Sequence, residues 1–370
     1  MRRIYVAAPR ARRLPVTVLG ATGLVGQRVI ALLEGHPWLE LAHGVASERR
    51  IGARYGDVVR WQMETPPAAA ALDLRLEPPE PGDDVRGQMV ISALPADEAR
   101  ELEPRYARAG ALVFSNASAF RMEPDVPLIV PEINPDHLAA LPIQRDLRGW
   151  PGAIVTNPNC STIGLTLALA PLRGFGLERV VVTTFQAASG AGYPGVAALD
   201  LIDNVVPYIG GEEEKIETET RKIFGGWTDG AFEPLESRIS TTCARVPVRD
   251  GHLEAVSVEF ARPVEPEEII AAWRAWTAEP QRLGLPSAPQ PIIIYREERD
   301  RPQPIADRLA GDGMAVTVGR LRRCDALGYK FLALSHNTIR GAAGAALLNA
   351  ELAVARGLVD QAIASATPTS

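Results

Sequence analysis

Apolar positions fall into short runs separated by turn residues. Val16–Leu19 is compact and rich in β-branched side chains, as suits a strand buried on both faces. Beyond a glycine turn, Leu24, Val25, Val29, Leu32 and Leu33 recur at helical spacing, and Gly35 supplies a stop. Leu39–Ser47 and Met89–Leu94 read as further strands. Asp97–Arg108 reads as a charged helix that Pro104 should kink or shorten. Ala111–Phe114 and Leu128–Val130 complete an alternation of strands and helices, which predicts a mostly parallel α/β sheet.

The pattern changes after Asn157. Ser161–Leu172 is a strongly apolar helix, Val180–Gln186 a strand and Glu212–Phe224 a charged helix. Ser240–Val246 and Leu253–Phe260 are strand-like on either side of Asp250-Gly251, so hairpin pairing is expected there. Pro263–Pro304 is proline-rich with one helical stretch near Ile269–Trp276. Ala315–Val318 and Phe331–Ser335 read as strands, and Gly341–Ala355 as an alanine-rich helix. The second half thus predicts a separate α+β domain.

Composition narrows the class. A chain of 370 residues suits about two domains, and 46 % hydrophobic with 23 % charged residues is the balance of a soluble globular protein. The net charge of −6 gives no basic footprint for nucleic acid. No apolar run approaches the roughly 18 residues of a membrane span. Three cysteines form no disulfide framework and suit a reducing compartment. The arginine-rich start, MRRIYVAAPRARR, lacks the apolar core of a signal peptide and reads as a disordered leader over 1–14.

Candidate chemistry sits in four places. Gly20-Ala-Thr-Gly23-Leu-Val-Gly26 is a variant dinucleotide fingerprint in its proper strand–turn–helix context. Ser47-Glu48-Arg49-Arg50 ends the second strand. Its cations and serine favour the 2′-phosphate of NADP, while Glu48 leaves NAD open. Cys160, in Asn157-Pro-Asn-Cys160-Ser-Thr, opens a helix whose positive end is expected to lower its pKa and activate it as a nucleophile. Cys243 and Cys324 read as non-catalytic. His252, just after a glycine turn, reads equally well as the neutral-pH proton carrier such a thiol needs or as a surface histidine. Gly210-Gly-Glu212-Glu-Glu-Lys215 alone reads as a solvated helix start. Nothing suggests a metal site.

The chain resembles aspartate-semialdehyde dehydrogenase, in the branch found in archaea, fungi and some bacteria. GATGLVGQ, FSNASAFRMEPDVPLIVPEINPDHL, NPNCSTIG, FQAASGAGYPGV, DNVVPYIGGEEEKIETETRKI, TTCARVPVRDGH, DRPQPIADRLAGDGMAVTVGR and SHNTIRGAAG carry the resemblance in one order. It implies a Rossmann-type NADP-binding domain over 15–158 plus 337–370. A catalytic and dimerisation domain with a mixed sheet would occupy 159–336. It also implies an enzyme that reduces L-4-aspartyl phosphate to L-aspartate 4-semialdehyde with release of phosphate. By matching motif, Cys160 is the implied nucleophile, His252 the general acid/base and Gln186 the residue positioning the carbonyl. Arg245 is implied for the α-carboxylate, Glu212 for the α-ammonium, and Lys215, Arg121 and Asn159 for phosphate. The implied cofactor set is Gly20, Thr22, Gly23, Leu24, Val25, Ser47, Arg49, Ser92, Ala93 and Asn337. A cytoplasmic homodimer or homotetramer follows from the same resemblance. Two competing readings are a malonyl-CoA reductase on the same scaffold and a non-catalytic dinucleotide-binding regulator.

Overall fold

Two six-stranded sheets organise the chain. The computed structural model describes residues 8–82, 85, 87–228 and 230–359. The expected leader therefore lies partly outside the described residues. Within them, the Ala8 carbonyl accepts from Trp38 Nε1, Arg13 pairs with Glu40, and Leu14 already begins the first strand.

The first sheet comprises β1 (Leu14–Leu19), β2 (Leu39–Val45), β3 (Leu76–Glu77), β4 (Met89–Ser92), β5 (Leu112–Ser115) and β6 (Ala153–Thr156). Its order is β3-β2-β1-β4-β5-β6, and every pairing is parallel. Every residue of β4, β5 and β6 is buried, because helices cover both faces of such a sheet. The helices here are α1 (Leu24–Leu33), α2 (Ala96–Arg108) and α3 (Ala140–Arg148). Leu19, Ser92, Ser115 and Thr156 lie in register, so Gly20, Ala93, Asn116 and Asn157 emerge side by side at the carboxyl edge. Ligands of open parallel sheets bind at such an edge.

The second half contains α4 (Cys160–Leu169), β7 (Leu177–Ala187), α5 (Glu212–Phe224), a small ribbon of β8 (Gly226–Thr228) and β9 (Ala231–Glu233), β10 (Arg238–Val246), β11 (His252–Phe260), α6 (Pro266–Ala275), β12 (Ile293–Arg296), β13 (Val316–Cys324), β14 (Gly328–Ser335) and α7 (Gly344–Ala355). The second sheet runs β10-β7-β11-β14-β13-β12 and is mixed. Its inner face carries Gln186, Cys243, Arg245, His252 and Glu254, all buried. Helix α7 returns to the first sheet, where Leu347, Leu348 and Leu352 share a core with Val16, Met89 and Leu112.

Several expectations are corrected. β10 and β11 form no hairpin, because β7 lies between them, parallel to β10 and antiparallel to β11. Helix α5 provides the crossover that parallel strands require, and so delivers β10 to the far edge of β7. Pro104 does not shorten α2, which runs on to Arg108. Leu128–Val130 contributes only a bridge from Leu128 to Thr156. The last helix is preceded by a π turn at Ile339–Ala343.

Candidate active site

Cys160 is the first residue of α4, directly after the buried strand β6 and a short Asn-Pro-Asn link. Asn159 caps the helix, its side-chain oxygen accepting from the Ser161 and Thr162 amides. The same side chain donates through Nδ2 to Glu212 Oε2 at 2.7 Å. The π turn presses against the nucleophile: a Cβ on Gly341 would lie 2.7 Å from Cys160 Cβ.

His252, the first residue of β11, is fully buried and brings Nε2 to 3.2 Å from Cys160 Sγ. Its Nδ1 accepts from the Ala187 amide at 3.0 Å. A neutral ring in that bond carries its proton on Nε2, aimed at the sulfur. Burial, then Arg245 and His336, pushes the histidine well below its ordinary pKa, so the ring stays neutral. The expected depression of the Cys160 pKa is overturned. Burial and Glu212 push the thiol up to about 12, against the opposing pull of Arg121, Arg245 and the Ser161 amide. The residue nevertheless keeps a partly accessible surface.

β7 and β10 end side by side, with Gln186 in register with Arg245. Gln186 Nε2 lies 3.4 Å from Glu212 Oε2, and Arg245 Nη1 donates to the Ala187 carbonyl at 2.8 Å. A side chain at position 190 would crowd the site, since a Cβ there would meet Arg245 Nη1 at 2.6 Å and His252 Cε1 at 3.1 Å. Of the acids opening α5, Glu213 accepts from the Cys243 amide, while Glu212 turns to the cleft and pairs with Lys215 at 3.1 Å. Arg121 reaches in from the loop after β5, held by Glu219 and the Asn116 carbonyl. Cys160, His252, Gln186, Arg245, Glu212, Lys215, Asn159 and Arg121 thus converge from elements far apart in sequence. Among the described residues, no group of three or more His, Cys, Asp or Glu is placed to hold a metal ion.

The glycine loop fits a dinucleotide. Gly20 has φ +74°, and a Cβ there would lie 2.8 Å from the Ala93 carbonyl oxygen. At Gly26 a Cβ would lie 2.2 Å from the Gly20 oxygen, so the turn closes only with glycine. No side chain caps α1, and Gly23 is exposed, which leaves the helix N-terminus open to a pyrophosphate beside Thr22, Leu24 and Val25. Ser47 and Arg49 are exposed at the end of β2. It is Arg50, however, that bends back, donating to Thr22 Oγ1 at 2.6 Å. Ser92 is fully buried beneath the carboxyl edge. Asn337 is buried too, accepting from the Gly251 amide and donating to Ser189 Oγ, so it braces the loops flanking His252.

Sequence reading named Arg50 among the cations after β2 but put Ser47 and Arg49 in the cofactor set instead, and it missed Gly190, Glu219 and Gly341. Spacing could have found Glu219, which shares a helix face with Glu212 and Lys215. The two glycines are defined by contacts between distant segments.

Comparison with known proteins identifies relatives of the whole chain. The family "Semialdehyde dehydrogenase, NAD binding domain" matches residues 15–141, and "Semialdehyde dehydrogenase, dimerisation domain" matches residues 169–340. The chain is 50 % identical to an aspartate-semialdehyde dehydrogenase of Archaeoglobus fulgidus over 94 % of this chain and 100 % of the relative. It is 47 % identical to that of Cryptococcus neoformans, over 95 % and 100 %. The crystal structure of the Candida albicans enzyme with NADP superposes with TM-score 0.84 at 40 % identity, covering 93 % of this chain and 99 % of that one.

Proposed function

The chain belongs to the aspartate-semialdehyde dehydrogenase family, and from that membership we propose how its residues carry the reaction. The reaction is reductive dephosphorylation of L-4-aspartyl phosphate to L-aspartate 4-semialdehyde, on the way to lysine, methionine and threonine. The observation that carries the residue assignments is the 3.2 Å approach of His252 Nε2 to Cys160 Sγ at the end of a cleft built by Glu212, Arg245 and Arg121.

Arg245 receives the α-carboxylate and Glu212 the α-ammonium, each charge meeting its opposite. Lys215, Arg121 and Asn159 face the phosphate. Cys160 attacks the acyl carbon, a C–S bond forms and the C–O bond to phosphate breaks. The thiol proton leaves with the phosphate, which departs as hydrogen phosphate. Bound NADPH supplies hydride to the thioester carbon. His252 Nε2–H and the Gln186 amide donate to the carbonyl oxygen as it becomes negative. When the C–S bond breaks, Nε2–H again faces the departing thiolate, which then takes a proton from solvent.

The open N-terminus of α1 suits the pyrophosphate of either dinucleotide, while the cations after β2, Arg49 and Arg50, favour NADP over NAD through the 2′-phosphate. We place the cofactor on 15–158 with 337–370, of which 360–370 lie outside the described residues, and the chemistry on 159–336. The outer face of the second sheet, where Val181 is exposed, is the surface we assign to a second copy, in keeping with the dimerisation-domain match. A cytoplasmic location belongs to the same proposal, and cell fractionation checks it.

The test is a phosphorolytic assay with aspartate semialdehyde, phosphate and either NADP or NAD, beside a reductive assay with malonyl-CoA. We expect phosphate-dependent NADPH formation, weaker activity with NAD, none with malonyl-CoA, and a loss of at least about a thousandfold in Cys160→Ser. Full activity of Cys160→Ser would sink the assignment of the nucleophile.

A further inference from the structure

Helix α5 carries more of the site than the two groups that face the substrate. One helical turn beyond Lys215 and two beyond Glu212 lies Glu219, on the same face and only 1 % exposed. Both of its oxygens are engaged by residues assigned to phosphate. Oε1 accepts from Arg121 Nη1 at 3.0 Å, and Oε2 accepts from the backbone amide of Asn159 at 2.6 Å. One carboxylate therefore ties the Arg121 loop of the first sheet to the residue that caps the helix of Cys160. Lys222, one turn further, donates to the carbonyls of Arg121, Glu123 and Val126 at 2.8, 2.9 and 2.8 Å, which fixes the backbone of the same loop. Arg121 is itself buried, and its Nε has no partner. Nη1 and Nη2 each carry a second N–H beyond those given to Glu219 and the Asn116 carbonyl, so the guanidinium retains donors for an oxygen.

We infer that Glu219 is a positioning residue for phosphate recognition: it holds Arg121 and Asn159 at a fixed separation so that a phosphate is received between them. This rests on the reading of the site given above. The chemistry of the side chain makes the inference specific. A carboxylate offers an acceptor to each partner. An amide offers one acceptor and one donor, so Glu219→Gln sets an N–H against either the guanidinium or the Asn159 amide. Aspartate keeps both acceptors but, one methylene shorter, does not span both partners.

The experiment uses the full chain in the phosphorolytic direction, with inorganic phosphate and aspartate semialdehyde varied separately at saturating NADP. Glu219→Gln should raise KM for phosphate about tenfold or more, while KM for the semialdehyde stays within about twofold. Glu219→Asp should fall between wild type and Glu219→Gln. Circular dichroism and NADP affinity confirm folding. If the glutamine variant does not fold, the aspartate variant alone must show the same split between the two constants. An unchanged phosphate KM in a folded variant overturns the inference, and so does an equal rise in both constants, which marks a purely structural role. A wild-type enzyme that shows no phosphate dependence overturns the underlying reading instead, and the inference with it.

Discussion

At Cys160 two local influences oppose each other. The helix start, with its free amides, favours a thiolate, and this is visible in Asn-Pro-Asn-Cys-Ser-Thr. Burial and the carboxylate of Glu212 favour the thiol, and these arise only when α5 and the second sheet close over the residue. The second pair wins, because removing a charge from water outweighs the partial charge of one helix end. The free enzyme therefore holds a neutral thiol beside a neutral imidazole. Iodoacetamide labelling of Cys160 in the free enzyme should rise about tenfold per pH unit from pH 7 to 9, following the thiolate fraction. A plateau below pH 8 would show that the thiolate is already formed. The histidine assignment had the same limit: sequence placed His252 after a turn, but only the approach of β11 to α4 made it a partner rather than a surface residue.

At the scale of the element, β11 shows how parity is settled. The fold buries the alternate residues His252, Glu254, Val256 and Val258 and leaves Leu253 and Ala255 half-buried. Fixing His252 against Cys160 fixes every second residue behind it, since strand side chains alternate with period two. Glu254 is carried inside with neither oxygen partnered, and burial raises its pKa well above the ordinary value. The folded protein thus keeps a proton there that the unfolded chain releases above about pH 4.5. Such a group's stability contribution is fully present below the unfolded pKa and declines as pH rises toward the folded one. Glu254→Gln should therefore stabilise the protein increasingly from pH 5 upward, by up to about 1.4 kcal/mol per pH unit. Denaturant unfolding at pH 5 and pH 8 measures it. An equal effect at both values would mean the carboxyl is ionised in the fold.

At the scale of the whole molecule, the two sheets are joined by buried polar contacts as well as apolar ones. Arg340 in the π turn behind Cys160 makes a bidentate pair with Glu132, at 2.8 and 2.6 Å, both side chains fully buried. Asn157 links the Asn116 side chain and the Ala342 carbonyl, so the nucleophile's loop is braced from both halves. The opposite, outer face of the second sheet has no such cover: Val181 is 44 % exposed there. Sedimentation should give the mass of two chains, or of four if dimers pair, and Val181→Glu should shift it toward a single chain. A wild-type protein sedimenting as one chain would refute the assembly.

The sequence by itself determined what is local. It held the glycine turn between β1 and α1 and the helical face of α5, which are readable because backbone conformation and side-chain periodicity depend on neighbouring residues. Roles for Gln186, Glu212, Arg245 and His252 beside Cys160 were implied by the family resemblance of their contiguous motifs. Tertiary structure decided what depends on packing between distant segments. It inserted β7 between β10 and β11, turned Glu254 inward, folded Arg50 rather than Arg49 over Thr22, and set Glu219 between Arg121 and Asn159. It also raised the Cys160 thiol, since desolvation is a property of everything packed around an atom and of no single stretch of chain.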